Sequence, residues 1–181
     1  CLMSANLLSA YRTGAIPGVG ARYLARKDAQ VCGICGPGVM GRTGLAAMMA
    51  ACPHISTVKI KGRGQASLNR FAAYVRTQYP ELKHVETVQT VEELMKDADV
   101  VVFSNSGSTD PSTYPFVKGE WIKPGALLIG LSAFDMEDDF MQKHCRLVVD
   151  NMKLYDSWAE EFPYPSFGAN NIIGSKFTDM V

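Results

Sequence analysis

The stretch Val31-Cys32-Gly33-Ile34-Cys35-Gly36-Pro37-Gly38-Val39-Met40-Gly41 decides how the rest of the chain is read. Its first five residues form a short apolar run of the kind that makes a buried strand, and a glycine-rich turn follows at once. From Val39 to about Ala51 the residues are mostly small and apolar, as in a helix packed closely on a sheet. Gly36, Gly38 and Gly41 spell G-x-G-x-x-G at a strand-to-helix junction, where each glycine has a mechanical use. The first permits a tight turn, the second lets a pyrophosphate approach the backbone, and the third lets the helix lie close to the sheet. Amides at the helix start, at Val39 and Met40, then face the phosphates, aided by the helix dipole. Pro37 removes one donor but stiffens the turn. The setting predicts a dinucleotide site; without a ligand the same spelling is an ordinary turn.

Working outward, strands and helices alternate. Ile16, Val19, Gly20, Tyr23 and Leu24 have helical spacing, predicting a helix over 15–25 with Pro17 near its first turn. Downstream, Thr57–Lys61 and His84–Val88 read as strands, and Gln65–Thr77 and Val91–Lys96 as helices. The valine-rich run Ala98–Phe103 and the run Ala126–Leu131 read as strands covered on both faces. Asp135–Lys143 reads as a helix, Arg146–Val149 as a last strand, and the chain from Asn151 to about Glu161 as a further helix. This alternation predicts an α/β fold, a Rossmann-type doubly wound, mostly parallel sheet with helices on both faces. The expected organisation is a connecting segment over 1–13, the dinucleotide-binding domain over 14–161, and a connecting segment over 162–181.

The second strand tests which coenzyme fits. A carboxylate there would bind the ribose 2′-OH of NAD(H), but the chain reads Lys61-Gly62-Arg63-Gly64-Gln65. Gly62 and Arg63 are therefore candidate coenzyme contacts, and an arginine that can pair with a 2′-phosphate favours NADP(H) over NAD(H). Ser104, Asn105 and Ser106 follow the Ala98–Phe103 strand, where a loop borders the ligand crevice. They either contact the ribose or nicotinamide or form a plain polar loop. Glu137, Asp138 and Asp139 read as acids stabilising the start of a helix.

Composition narrows the partners. Lys plus Arg (18) balance Asp plus Glu (18), leaving no field to attract nucleic acid or an acidic membrane surface. No apolar run approaches the roughly 18 residues of a membrane span. Cys32 and Cys35 have CxxC spacing, but an offset of three along a strand sends them to opposite faces, and no second pair completes a metal shell. No metal is expected. Free thiols and nine methionines suit a reducing compartment, so the cytoplasm is expected. The chain opens on Cys1 without a signal-peptide pattern and reads as the central part of a larger protein.

Several motifs in order carry a family resemblance: Arg12-Thr13-Gly14-Ala15, Tyr23-Leu24-Ala25-Arg26, and the glycine turn from Gly36 to Gly41. Ala98-Asp99-Val100-Val101-Val102, then Gly119-Glu120-Trp121-Ile122-Lys123-Pro124-Gly125-Ala126, and Val148-Val149-Asp150 follow. In these the chain resembles the ornithine cyclodeaminase/mu-crystallin family, from about Leu7 to Val181. The resemblance implies a nicotinamide-dependent, usually homodimeric protein whose second domain, built from both chain ends, forms much of the substrate pocket. By the same resemblance Arg12 binds the carboxylate of an amino or imino acid, and Thr13 lies near the coenzyme phosphates. Family cyclodeaminases carry a proton-transferring aspartate where this chain has Ser132, with Asp135 nearby. A serine hydroxyl is a poor base at neutral pH, so hydride transfer is expected ahead of cyclodeamination. A non-catalytic, NADPH-binding relative of mu-crystallin is the remaining alternative.

Overall fold

The computed structural model describes residues 5–106, 110–151, 153 and 177–179. In chain order the elements are α1 (Asn6–Leu24), β1 (Val31–Cys35), α2 (Val39–Ala51), β2 (Thr57–Lys61), α3 (Gln65–Gln78), β3 (His84–Val88) and α4 (Val91–Met95). Then come β4 (Val100–Phe103), β5 (Phe116–Val117), β6 (Leu127–Gly130), β7 (Asp135–Met136), α5 (Asp138–His144), β8 (Leu147–Val149) and β9 (Phe177–Asp179). These fall into two compact units, residues 1–106 with 120–132 and residues 107–119 with 133–181.

The first unit is a five-stranded sheet in the order β3-β2-β1-β4-β6, with every pairing parallel. Ile34 of β1 stands opposite Ile60 of β2 and Val102 of β4, so alternate residues line each face. On one face Cys32, Ile34, Val58, Ile60, Val100 and Val102 pack with Leu45 and Met48 of α2 and with Leu68, Phe71 and Val75 of α3. On the other, Gly33 lies close to Val101 and to Leu94 of α4. Each side chain fully buried in this way contributes roughly 1.5–3 kcal/mol before conformational entropy is counted. The Rossmann-type sheet expected from the alternating pattern is what forms. It begins β1-α2-β2-α3-β3 and then reverses direction from β1 to β4, which opens a crevice beyond the carboxyl ends of those two strands.

An ion pair closes the opposite edge. Asp99, buried just before β4, accepts hydrogen bonds from the amides of Gln30 (2.9 Å) and Val31 (3.0 Å) and pairs with Lys123 at 2.5 Å. One carboxylate thus joins the starts of β1 and β4 to the segment that leads into β6. Burial opposes its charge, but the Lys123 ammonium and the two amides outweigh burial and hold the carboxyl below its ordinary value.

Two differences from the expected elements have physical causes. The first helix begins at Asn6, so Arg12 and Thr13 lie inside it, and Pro17 sits deep in the helix rather than in its first turn. Packing overrides local preference here. A Cβ on Gly14 would overlap Thr43 and one on Gly18 would meet Ala47, so α1 lies unusually close to α2, with Pro17 against Gly44. The expected boundary at residue 14 therefore falls within α1.

The second difference lies in the second unit, where the sequence predicted a helix from Asp135. That residue instead begins β7, whose pairing with β5 sets Phe116 opposite Asp135, and α5 starts only at Asp138. The strand expected over Arg146–Val149 does form as β8, but it pairs in parallel with β9 and not with the large sheet. Neither β5 nor β9 has enough alternating residues to be seen in the sequence. The helix expected over 151–161 lies, apart from Asn151 and Lys153, outside the described residues. Gly119 of the family motif lies directly beneath the Phe140 ring, and its amide donates to Glu137 at 2.8 Å.

Asp99→Asn keeps the shape but removes the charge that Lys123 and two amides address. It should lower stability by about 2–4 kcal/mol in urea unfolding at pH 7. Because the folded carboxyl ionises below its unfolded value of about 3.9, its contribution is complete above that pH. The contribution fades as pH falls through the folded pKa, so the unfolding curves of the wild type and the Asp99→Asn variant should converge in acid.

Candidate functional site

The site is built where β1 turns into α2. Gly36 has φ +106°, a left-handed conformation that side-chain-bearing residues rarely adopt, and its amide donates to the Lys61 carbonyl at 2.8 Å. A Cβ there would also run into the backbone of Ser104 and Asn105. The turn is thus pressed against the end of β4 on one side and tied to the end of β2 on the other. The Ser104 hydroxyl braces it further, reaching the carbonyls of Gly36 (3.0 Å) and Cys35 (3.2 Å). A Cβ on Gly41 would overlap the Gly36 carbonyl, which keeps the first turn of α2 close over β1.

Gly38 differs. It caps α2 with extended backbone, and a Cβ built on it meets nothing within 4 Å. Among the described residues, no protein acceptor takes the amides of Val39, Met40 or Gly41, and no acid lies in the first turn of α2. Those are the orphan donors of a helix start, presented beside an open backbone surface. The residues present therefore fit a bound pyrophosphate: donors, an opening, and no competing carboxylate.

The other candidates sort by position. Gly62, a candidate coenzyme contact, lies against the ring of Pro37, whose Cδ is 2.7 Å from where a Cβ would be. Arg63 is exposed in the β2–α3 turn, with no carboxylate between Lys61 and Gln65. Asn105 and Ser132 come together after β4 and β6, with the Ser132 hydroxyl donating to the Asn105 carboxamide oxygen at 2.8 Å. Ser106 is exposed just beyond. Arg12 is exposed and Thr13 half-buried on α1. That helix is held beside the second turn of α2 by the Thr43 hydroxyl, which donates to the Ala10 carbonyl at 2.9 Å. Asp135 lies in the second unit, where its carboxylate accepts from the Met136 amide.

Sequence reasoning did not find the supporting contacts of Lys61, Thr43 and Lys123. No spelling announces them, because each acts through a partner more than twenty residues away. Cys32 and Cys35 lie in β1 and are buried, with Cys32 in the core cluster below α2. Burial pushes the Cys32 thiol up to about 12 and raises Cys35 too, against the pull of Lys61. Such thiols are unreactive. A cavity of about 340 Å³ lined by Lys27, His54 and Lys83 lies at the amino-terminal edge of the sheet, away from the glycine turn.

A parallel sheet with a reversal point, a glycine turn there and helix-start amides left open among the described residues define a Rossmann-type α/β fold of the dinucleotide-binding kind. The chain belongs to the ornithine cyclodeaminase/mu-crystallin family, whose family model matches residues 1–163. It is 30% identical over 159 residues to an alanine dehydrogenase of Archaeoglobus fulgidus, covering 84% of this chain and 45% of that one. It is 28% identical over 154 residues to the ketimine reductase mu-crystallin of Macropus fuliginosus, covering 83% and 45%. Among solved structures it resembles the Delta(1)-pyrroline-2-carboxylate reductase of Thermococcus litoralis in complex with NADH and L-proline. That match has a TM-score of 0.67 and 25% identity, covering 87% of this chain and 50% of the other. The chain spans 43–46% of the length of the curated relatives it first matches.

Gly38→Ala isolates the pyrophosphate contact, because the new methyl group meets open space in the protein. Stability should fall by less than about 1 kcal/mol, the loss of a glycine cap, while dinucleotide affinity measured by titration falls at least about tenfold. Gly36→Ala should lose stability as well, because its strained φ and the Ser104 backbone both oppose a side chain.

Proposed function

We propose that this chain is the coenzyme-binding part of an NAD(P)-dependent oxidoreductase acting on a small L-amino acid or its imine or ketimine. The observation that carries this reading is the row of amides at Val39, Met40 and Gly41, without acceptors among the described residues, beside the open Gly38 backbone. Relatives named as an alanine dehydrogenase, a ketimine reductase and pyrroline-carboxylate reductases support the substrate class. The nicotinamide, when bound, supplies or accepts the hydride. The protein's own work is orientation. The glycine turn and α2 amides hold the pyrophosphate, Thr13 stands near the phosphates, and Arg12 holds the substrate carboxylate through a charge-assisted pair. Pairing by a fixed guanidinium places Cα against the coenzyme ring and lowers the entropic part of the barrier.

NADP(H) is favoured over NAD(H), since Arg63 stands in the β2–α3 turn where NAD-specific sites carry an acid. Dehydrogenation or imine reduction is favoured over cyclodeamination by Ser132, whose hydroxyl already donates to Asn105 and has little basicity. The homodimer implied by the family resemblance belongs to the same reading. Leu7, Tyr11, Val19 and Tyr23 leave apolar surface exposed on α1, of the kind that a further domain or subunit covers. Buried, unpaired thiols at Cys32, Cys35 and Cys52 accord with a cytoplasmic setting.

The reading is tested by following 340 nm absorbance with the coenzyme and a panel of L-amino acids and cyclic imines. Steady change in reduced coenzyme is expected; ammonia release without it would indicate cyclodeamination instead. Arg12→Ala should lower turnover about 100-fold while leaving dinucleotide affinity within about twofold. Arg63→Ala should weaken NADPH about tenfold and leave NADH unchanged, which a thermal-shift series with the two coenzymes reads directly.

A further inference from the structure

The contact between Pro37 and Gly62 joins the glycine turn to the place where dinucleotide sites differ. β2 ends at Lys61, and the carbonyl of that residue accepts the Gly36 amide at 2.8 Å. Gly62 is therefore the first residue beyond the strand and lies next to the turn. In Rossmann sites that hold NAD(H), an acid about 20 residues past the glycine turn stands at this strand end and binds the ribose 2′-OH. Here that position has no side chain.

Sterics explain why. A Cβ on Gly62 would come within 2.7 Å of both Cγ and Cδ of Pro37, and 3.3 Å from Leu68 Cδ2. Neither neighbour yields readily. The Pro37 ring is bonded to its own backbone nitrogen, which fixes φ and leaves no rotamer that turns away. The backbone before it is held by the Gly36–Lys61 hydrogen bond and by the contact of Gly36 with Ser104 and Asn105. Leu68 is buried in the core that α3 covers. Backbone strain plays no part, because the positive-φ glycines among the described residues are Gly36 and Gly125, not Gly62. The closest obstacles are thus two ring atoms, and Pro37→Ala removes both.

We propose that the Pro37 ring selects the coenzyme: it fills the space that a side chain at position 62 would need, so no carboxylate can stand there to bind the ribose 2′-OH of NAD(H). The 2′ position is left to Arg63, exposed on the next residue, whose guanidinium suits a 2′-phosphate. The proposal rests on the NADP(H) reading given above and adds its steric cause, a residue of the turn itself acting on the end of β2.

The test reads melting temperature without coenzyme, and NADPH and NADH affinity by titration. It uses four forms of this chain: wild type, Pro37→Ala, Gly62→Asp and the double variant. Gly62→Asp should lower the melting temperature by about 5 °C where Pro37 is present, and by less than about 2 °C in the Pro37→Ala background. Gly62→Ala, a smaller change, should show the same dependence on Pro37 where Gly62→Asp is too unstable to purify. Wild type should bind NADPH at least about tenfold more tightly than NADH. In Pro37→Ala/Gly62→Asp the order should reverse, because the new carboxylate accepts the 2′-OH of NADH and repels a 2′-phosphate. Pro37→Ala alone brings no carboxylate and should keep the NADPH preference. Equal melting-temperature losses in both backgrounds, a double variant that still prefers NADPH, or a wild type that prefers NADH would overturn the proposal while dinucleotide binding stands. A wild-type chain that binds neither coenzyme would overturn both.

Discussion

The close approach of the Gly36 turn to the end of β4 is the contact on which the rest of the structure depends. No atom lies between the glycine Cα and the Ser104–Asn105 backbone, so β1 can end directly against its neighbour. The chain then rises into α2 with its first amides turned outward. Any side chain at Gly36 would separate β1 from β4, and α2 would no longer start over the sheet's carboxyl edge. The hydrophobic core beneath holds this geometry rather than creating it. Ile34, Ile60 and Val102 lie in register below the turn, and Leu45 and Met48 of α2 cover them.

The two ends of the sheet divide stability from ligand binding. At the amino-terminal edge, Asp99 has every demand met: two amides, one ammonium, and a carboxyl held in its charged form. At the carboxyl edge, donors at Val39, Met40 and Gly41 are left without protein acceptors among the described residues. A buried charge is tolerable only when satisfied, whereas a helix start at the surface can leave its donors for a ligand. The same contrast explains why family motifs occur at both ends. Asp99 and Lys123 hold strands together, while Gly36 to Gly41 leave donors open to a ligand.

Small residues set how closely α1 lies on α2, and this carries functional weight. Gly14 against Thr43 and Gly18 against Ala47 bring the segment containing Arg12 and Thr13 beside the helix that starts at the glycine turn. Arg12 and the glycine turn, separated in sequence by more than twenty residues, thus lie on adjoining helices.

The sequence by itself determined the strand–turn–helix unit, the parallel α/β class, the opposite facing of Cys32 and Cys35, and the family. These follow from local periodicity and from turn chemistry, which act over a few residues. Tertiary structure alone decided that α1 runs through Arg12 and Thr13, because glycine's poor helix propensity is outweighed only once Thr43 and Ala47 are in place. It decided that Gly62 receives Pro37, that Ser104 braces the turn, and that Ser132 bonds Asn105, contacts no local pattern encodes. It also moved β8 out of the main sheet, since a strand's partner is chosen by where the chain returns in space, and a run of three apolar residues does not specify that.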